Sequence, residues 1–162
     1  MTDTFTPMER SEIMRRIKGR DTSAEILLRK SLWARGLRGY RIGVSTLPGR
    51  PDVAFARAKV AVFVDGCYWH GCPAHCRMPS SNRPYWERKI QRNMERDKAH
   101  VRALRKAGWR VIRLWEHQVR KNPLLAARRV AERLDEAAQL VYKKSRGSNQ
   151  LARPRNGRNH ER

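Results

Sequence analysis

Between Val64 and Cys76 the chain reads Val-Asp-Gly-Cys-Tyr-Trp-His-Gly-Cys-Pro-Ala-His-Cys, so one short segment holds all three cysteines and two of the five histidines. Thiolates and imidazoles are the ligands that zinc takes in a closed tetrahedron, and Cys67-x4-Cys72-x2-His75 gathers three of them in one loop. The fourth must come from elsewhere. His117 is the candidate if the strand that precedes it runs beside the strand ending at Asp65, with Cys76 and His70 as rivals. Ordinary buried cysteines beside surface histidines are the plain alternative, but such residues rarely crowd together by chance. We read a closed, structural zinc loop.

A second chemistry lies next to the first. Asp52 follows Pro51 at the start of one β-rich run and Asp65 ends the next, so a hairpin between them brings Asp52 beside the Val64–Asp65 backbone. Two oxygen sources there suit Mg²⁺, which takes one or two carboxylates and fills its other positions with water and substrate phosphate. Otherwise Asp52 merely serves the turn after proline. His70, just past the aromatic pair, is the candidate to position or deprotonate water. Asp97 falls in register with Ile90, Met94, Val101 and Leu104, which puts a carboxylate on an apolar helix face where it needs a partner. A salt bridge to one of the many arginines would account for it equally well. Glu25 already has a use in a capping box, against which a catalytic role must be weighed.

The elements that must position these residues follow from local signals. Thr6-Pro7-Met8-Glu9 opens a helix to about Ile17, and Thr22-Ser23-Ala24-Glu25 opens another with Leu28 and Leu32 on its apolar face and Gly36 as its stop. Tyr40 to Val44 is a short strand, and Leu47-Pro48-Gly49-Arg50-Pro51 a turn. Asp52–Ala56 and Lys59–Asp65, joined by Arg57-Ala58, form a hairpin whose second run is apolar enough for a central strand. Pro84 starts a long helix to about Ala107, closed by Gly108. Trp109–Trp115 is a buried strand, and Asn122-Pro123 starts a last helix to about Tyr142. No internal repeat is present. The order predicts one α/β domain with a central mixed β-sheet flanked by helices, spanning residues 1–142, followed by a basic, disordered tail at 143–162.

Charge names the partner. The chain carries 37 Lys and Arg against 15 Asp and Glu, a net +22. Residues 143–162 hold seven basic residues and one acidic, so the rest keeps 30 against 14, or +16. A folded body this basic points to a polyanion, nucleic acid first of all. No apolar run is long enough to span a bilayer, and the N-terminus has charges where a signal peptide needs an apolar core. We therefore expect a soluble, cytoplasmic protein with no membrane partner. Clustered, odd-numbered cysteines argue against a disulfide framework.

Pro51-Asp52 followed by a strand ending in an acid resembles the PD-(D/E)xK nuclease pattern, with Cys67 where the usual lysine would stand. Together with Leu47-Pro48-Gly49-Arg50-Pro51-Asp52, Asp65-Gly66-Cys67-Tyr68-Trp69-His70, Tyr85-Trp86, Arg96-Asp97, Gly108-Trp109-Arg110-Val111 and Trp115-Glu116-His117, it looks like the very short patch repair (Vsr) endonucleases over roughly residues 8–140. The resemblance implies a restriction-endonuclease-like fold. It also implies a zinc-containing, Mg²⁺-dependent bacterial endonuclease, which nicks double-stranded DNA 5′ to the thymine of T:G mismatches left by 5-methylcytosine deamination. Carried over by motif, Asp52 and the Val64 carbonyl hold Mg²⁺ and His70 activates water. Glu25 and Asp97 support waters beside the metal or orient the histidine. Asp65 stands where some relatives have histidine and joins the acidic set. Tyr68 and Trp69 from one side and Met14 from the other form the DNA wedge, with tyrosine in place of the more usual phenylalanine. Wedge insertion costs less at a mismatch, whose stacking is already weakened. A monomer associated with the nucleoid is expected, with mismatch-repair proteins as further partners. Core packing is the plain alternative for Tyr68 and Trp69. Two other functions suit the same features: a restriction-type nuclease on intact duplex, and a zinc-stabilised DNA-binding protein without catalysis.

Overall fold

The computed structural model describes residues 8, 12, 19–80 and 82–150, with burial and side chains described up to 140. The expected first helix lies outside the described residues, apart from Met8 and Glu12, which are helical. Met14 lies outside them too.

Helix α1 spans Ser23–Ala34. The Thr22 hydroxyl caps it, accepting from the Glu25 amide at 3.3 Å, while the Glu25 carboxylate accepts from the Asp21 amide at 3.0 Å and from the Thr22 hydroxyl at 2.8 Å. This satisfies amides that the first helical turn leaves without intrahelical partners. Gly36, at φ 77°, takes the left-handed turn that ends it. Ala24, Leu28 and Leu32 are fully buried.

Strand β1 is Val53–Phe55 and β2 is Val60–Asp65, paired antiparallel with Val53 opposite Val62 and Phe55 opposite Val60. Strand β3, Arg110–Trp115, lies parallel on the other side of β2, with Val60 beside Arg110 and Asp65 beside Trp115. The sheet order β1-β2-β3 makes β2 the central strand, as its continuous apolar run requires. The parallel pairing needs a long crossover, supplied by α2, Arg83–Lys106, which has proline in its first turn and ends before Gly108 at φ 82°. A six-residue helix α3, Glu116–Lys121, follows β3 directly. The last helix, α4, begins at Pro123 with the Asn122 side chain accepting from the Leu125 amide at 2.9 Å. It runs past the expected end near Tyr142 to Gln150, so the first part of the predicted tail is helical. Residues 151–162 lie outside the described residues.

Helices α1, α3 and α4 cover one face of the sheet and share a core with it: Leu28, Leu32, Val60, Val62, Leu114, Val119 and Val130 are completely buried. Truncating one of these leucines to alanine costs about 2–5 kcal/mol. Along β3, Ile112 and Leu114 enter that core, which turns Arg113 to the opposite face, where α2 packs. The result is the expected mixed sheet flanked by helices. One expected strand is absent: Tyr40–Val44 makes only a single bridge, Arg41 with Ala54, at 2.9 and 2.8 Å. Gly39 and Gly43 flank it at φ 76° and 57°, turning the chain away from the sheet after one pair.

Candidate active site and metal centre

All the chemistry collects where β2 and β3 end together. Asp52 precedes β1, and the antiparallel pairing sets it beside the end of β2, where the Val64 amide donates to its Oδ2 at 2.7 Å. Burial pushes its carboxyl up to about 7, and the charges of Glu25 and Asp65 push the same way, against the Val64 amide and His70. A buried acid crowded by two further carboxylates is a place where a cation is favoured. Glu25, buried at the start of α1, lines the same cleft, a cavity of ≈ 980 Å³ whose walls also carry Arg20, Arg29, Arg50, Arg96 and Arg120.

His70 reaches this cleft from the loop after β2. Its Nδ1 meets Asp97 Oδ2 at 2.5 Å and lies 3.9 Å from Asp65 Oδ1. Asp97 thus touches both the histidine and an arginine. Burial raises its carboxyl, but the bonds from His70 and Arg113 outweigh this and leave it below the ordinary carboxylate value. Asp65 is buried, and both its oxygens are taken by Arg113, from Nε at 2.5 Å and from the terminal NH2 nitrogen at 2.8 Å. The same terminal nitrogen donates to Asp97 Oδ2 at 2.8 Å. Asp65, His70 and Asp97 lie close enough to share an ion, but the guanidinium already supplies a positive charge there. Asp52, bonded by the Val64 amide, could hold a cation instead.

On the other side of the loop, Cys67, Cys72, His75 and His117 bring four donor atoms within 4.8 Å of one another. The thiol of Cys67 lies 3.1 Å from His117 Nδ1, and that of Cys72 lies 3.7 Å from His75 Nδ1 and 3.8 Å from His117 Nδ1. A tetrahedral ion with metal–sulfur and metal–nitrogen bonds of about 2.3 and 2.0 Å needs sulfur–nitrogen edges of about 3.5 Å, so the donor set fits a zinc loop. The rivals stand apart: Cys76 donates to the Tyr68 carbonyl at 3.5 Å, and His70 faces Asp97. His117 arrives on α3 because β2 and β3 are parallel and in register, and the neighbouring Glu116 accepts from the Cys67 amide at 3.3 Å.

Tyr68 and Trp69 are half-buried, and they are neither isolated nor in the core. They pack edge to face with each other at 5.0 Å between centroids, and Tyr68 packs on Trp86 of α2 at 5.7 Å. Lys89 lies over the Trp69 and Trp86 rings at 5.3 and 5.1 Å, and Asn93 donates to the Trp69 carbonyl at 3.1 Å. The Tyr68 hydroxyl is buried with no partner. Gly71, at φ 67°, lets the loop press on α2, since a Cβ there would stand 2.7 Å from Met94 Sδ. The sequence reading missed Arg113 and Glu116. The sign for Arg113 was present: a charged residue inside an apolar strand poses the same question as Asp97 on its helix.

Comparison with known proteins places the chain in a family. The family model "DNA mismatch endonuclease Vsr" matches residues 2–77. The chain is 42% identical over 122 residues to the type II nicking enzyme V.NaeI of Lentzea aerocolonigenes, covering 72% of this chain and 73% of that one. It is 42% identical over 124 residues to the type II nicking enzyme V.HpaIIP of Haemophilus parainfluenzae, covering 75% and 87%. It is 36% identical over 139 residues to the DNA mismatch endonuclease Vsr of Escherichia coli (strain K12), covering 84% and 87%. Among the described residues no helix is long and apolar enough to cross a membrane. With one cleft that joins a carboxylate-flanked histidine to a basic wall, and with relatives aligned along most of its length, the chain belongs to the DNA mismatch endonuclease Vsr family and is a DNA endonuclease of restriction-endonuclease-like fold.

Proposed function

We propose that this chain nicks one strand of double-stranded DNA on the 5′ side of the thymine in a T:G mismatch, using Mg²⁺ for the chemistry and zinc for structure. The observation that carries the reading is the placement of Asp52 and the His70–Asp97 pair in one basic cleft, directly beside the Tyr68–Trp69–Trp86 aromatic cluster. Asp52 and the Val64 carbonyl would hold Mg²⁺, which when bound polarises the scissile phosphate and stabilises the leaving 3′ oxygen. Asp97 accepts the Nδ1 proton of His70, so Nε2 is left to take a proton from the attacking water. Cys67, Cys72, His75 and His117 would hold zinc and fix the loop that carries both His70 and the aromatic pair.

The aromatic cluster supports recognition by deformability. Rings wedged into a base step must break stacking, and that costs less where the pair is already mismatched. The relatives include both a mismatch endonuclease and nicking enzymes, which favours cutting one strand over cutting both.

The test is a panel of end-labelled heteroduplexes, covering every mismatch and the fully paired control, incubated with Mg²⁺ and with EDTA. A single nick 5′ to T in T:G alone, dependent on Mg²⁺, is the expected outcome. Cutting of both strands of the paired control would identify a restriction-type nuclease instead. Tight binding with no cleavage under any divalent ion would make it a binding protein.

A further inference from the structure

We propose that Arg113 is a positioning residue for the nicking reaction, acting on His70 through the single Asp97 oxygen that both of them bond. This role rests on the proposed function only for the identity of the reaction. Asp97 Oδ2 accepts from His70 Nδ1 at 2.5 Å and from the Arg113 terminal nitrogen at 2.8 Å. Whatever fixes that oxygen fixes the imidazole ring. Asp97 holds it from α2, and Arg113 holds it from β3.

Arg113 is itself clamped. Its Nε and terminal nitrogen grip the two oxygens of Asp65 at 2.5 and 2.8 Å, the side-on fork that only a guanidinium offers. Asp65 sits at the end of β2, on the same face as Arg113 in the adjacent parallel strand. The pair therefore needs no loop to hold it. A chain of bonds runs from the end of the central strand to the loop histidine: Asp65, Arg113, Asp97, His70. Asp65, with a side chain 5% exposed, would be an uncompensated buried carboxylate without the arginine. Its role is thus to orient Arg113.

The reach of a guanidinium explains why arginine is needed. It makes two bonds to one carboxylate along one edge and still directs a hydrogen to the other. A lysine ammonium placed there keeps the charge and loses the fork.

Three variants test this, R113M, R113K and the double variant D65N/R113M, in the full-length, metal-loaded protein. Single-turnover nicking of the T:G duplex by R113M should fall by about 100-fold, the scale of a misplaced catalytic group, while duplex affinity stays within about threefold. R113K should recover part of the rate. The double variant leaves no orphaned carboxylate, so it should fold like the wild type and still show the slow rate. The second readout needs no substrate: ¹⁵N-labelled histidine NMR should show one His70 tautomer with a protected Nδ1 proton in the wild type, and exchange-broadened signals in R113M. If the double variant nicks at the wild-type rate, or if the His70 signal of R113M is unchanged, the proposal is overturned. It is equally overturned if R113M loses affinity but keeps its saturated rate, because Arg113 would then be a phosphate contact. A wild type that nicks no duplex would remove the proposed substrate, while the histidine spectrum would still decide the role of Arg113.

Discussion

The Nδ1 of His70 and the Oδ2 of Asp97 stand 2.5 Å apart, joining the loop after β2 to the middle of α2. In the proposed reaction an ionised Asp97 would stabilise the imidazolium formed when Nε2 takes a proton and would keep Nδ1 as the protonated nitrogen. Replacing Asp97 by asparagine should lower the nicking rate by about 100-fold with little change in duplex affinity, and H70A should lower it by about 10²–10⁴-fold. Single-turnover rates and filter binding check both. A D97N enzyme as fast as the wild type would remove Asp97 from the mechanism.

Asp52 gives a pH dependence with a definite sign. Its carboxyl is raised from 3.8 to about 7, so between those values the folded chain holds a proton that the unfolded chain has released. The stability this contributes is complete below pH 4 and falls away as pH rises toward 7. Without divalent metal, the wild type should therefore lose melting temperature relative to D52N across that interval and run parallel to it above. Melting curves at half-unit pH steps decide this; parallel curves throughout would show that Asp52 is not titrating there. D52A should bind duplex and leave it uncut.

The four metal donors should behave as one unit. C67S and C72S should lose their bound metal and melt early, as should the wild type treated with a strong chelator. C76S should keep both metal and melting temperature, since its thiol bonds the Tyr68 carbonyl outside the cluster. Metal analysis by mass spectrometry checks each. Metal loss in C76S with retention in H75A would exchange the two ligands.

Tyr68 offers a gain. Its buried hydroxyl has no partner, and burying such a group costs about 1–3 kcal/mol. Y68F should raise stability by about 1 kcal/mol in chemical denaturation and leave nicking intact, because the ring supplies the stacking surface. W69A should reduce the preference for mismatched over paired duplex.

Much of this site was legible because its residues announce themselves locally. The capping box at Thr22 and Glu25 and the hairpin that sets Asp52 beside Val64 follow from short-range patterns, whereas His117 was a candidate only on the condition that β3 lie beside β2, a long-range pairing that the assembled sheet supplies. Helix α3 did not, because six residues are too few for a periodic signal. The segment around Arg41 read as a strand from its composition, yet two glycines with positive φ allow it only one bridge. Arg113 stood out as a charge in an apolar strand, but its partners did not: Asp65 and Asp97 are far away in sequence, and only the assembled sheet and helix show that one arginine serves both.

The alternation along β3 limits how this enzyme can evolve. Ile112 and Leu114 fill the interior while Arg113 faces the carboxylates, and His117 follows two residues beyond the strand. A residue inserted or deleted inside β3, between Ile112 and Leu114, would break that order and turn part of the strand to the wrong face. Length changes inside β3 therefore disturb the core and the carboxylate cluster together, whereas a substitution on one face leaves the other in place.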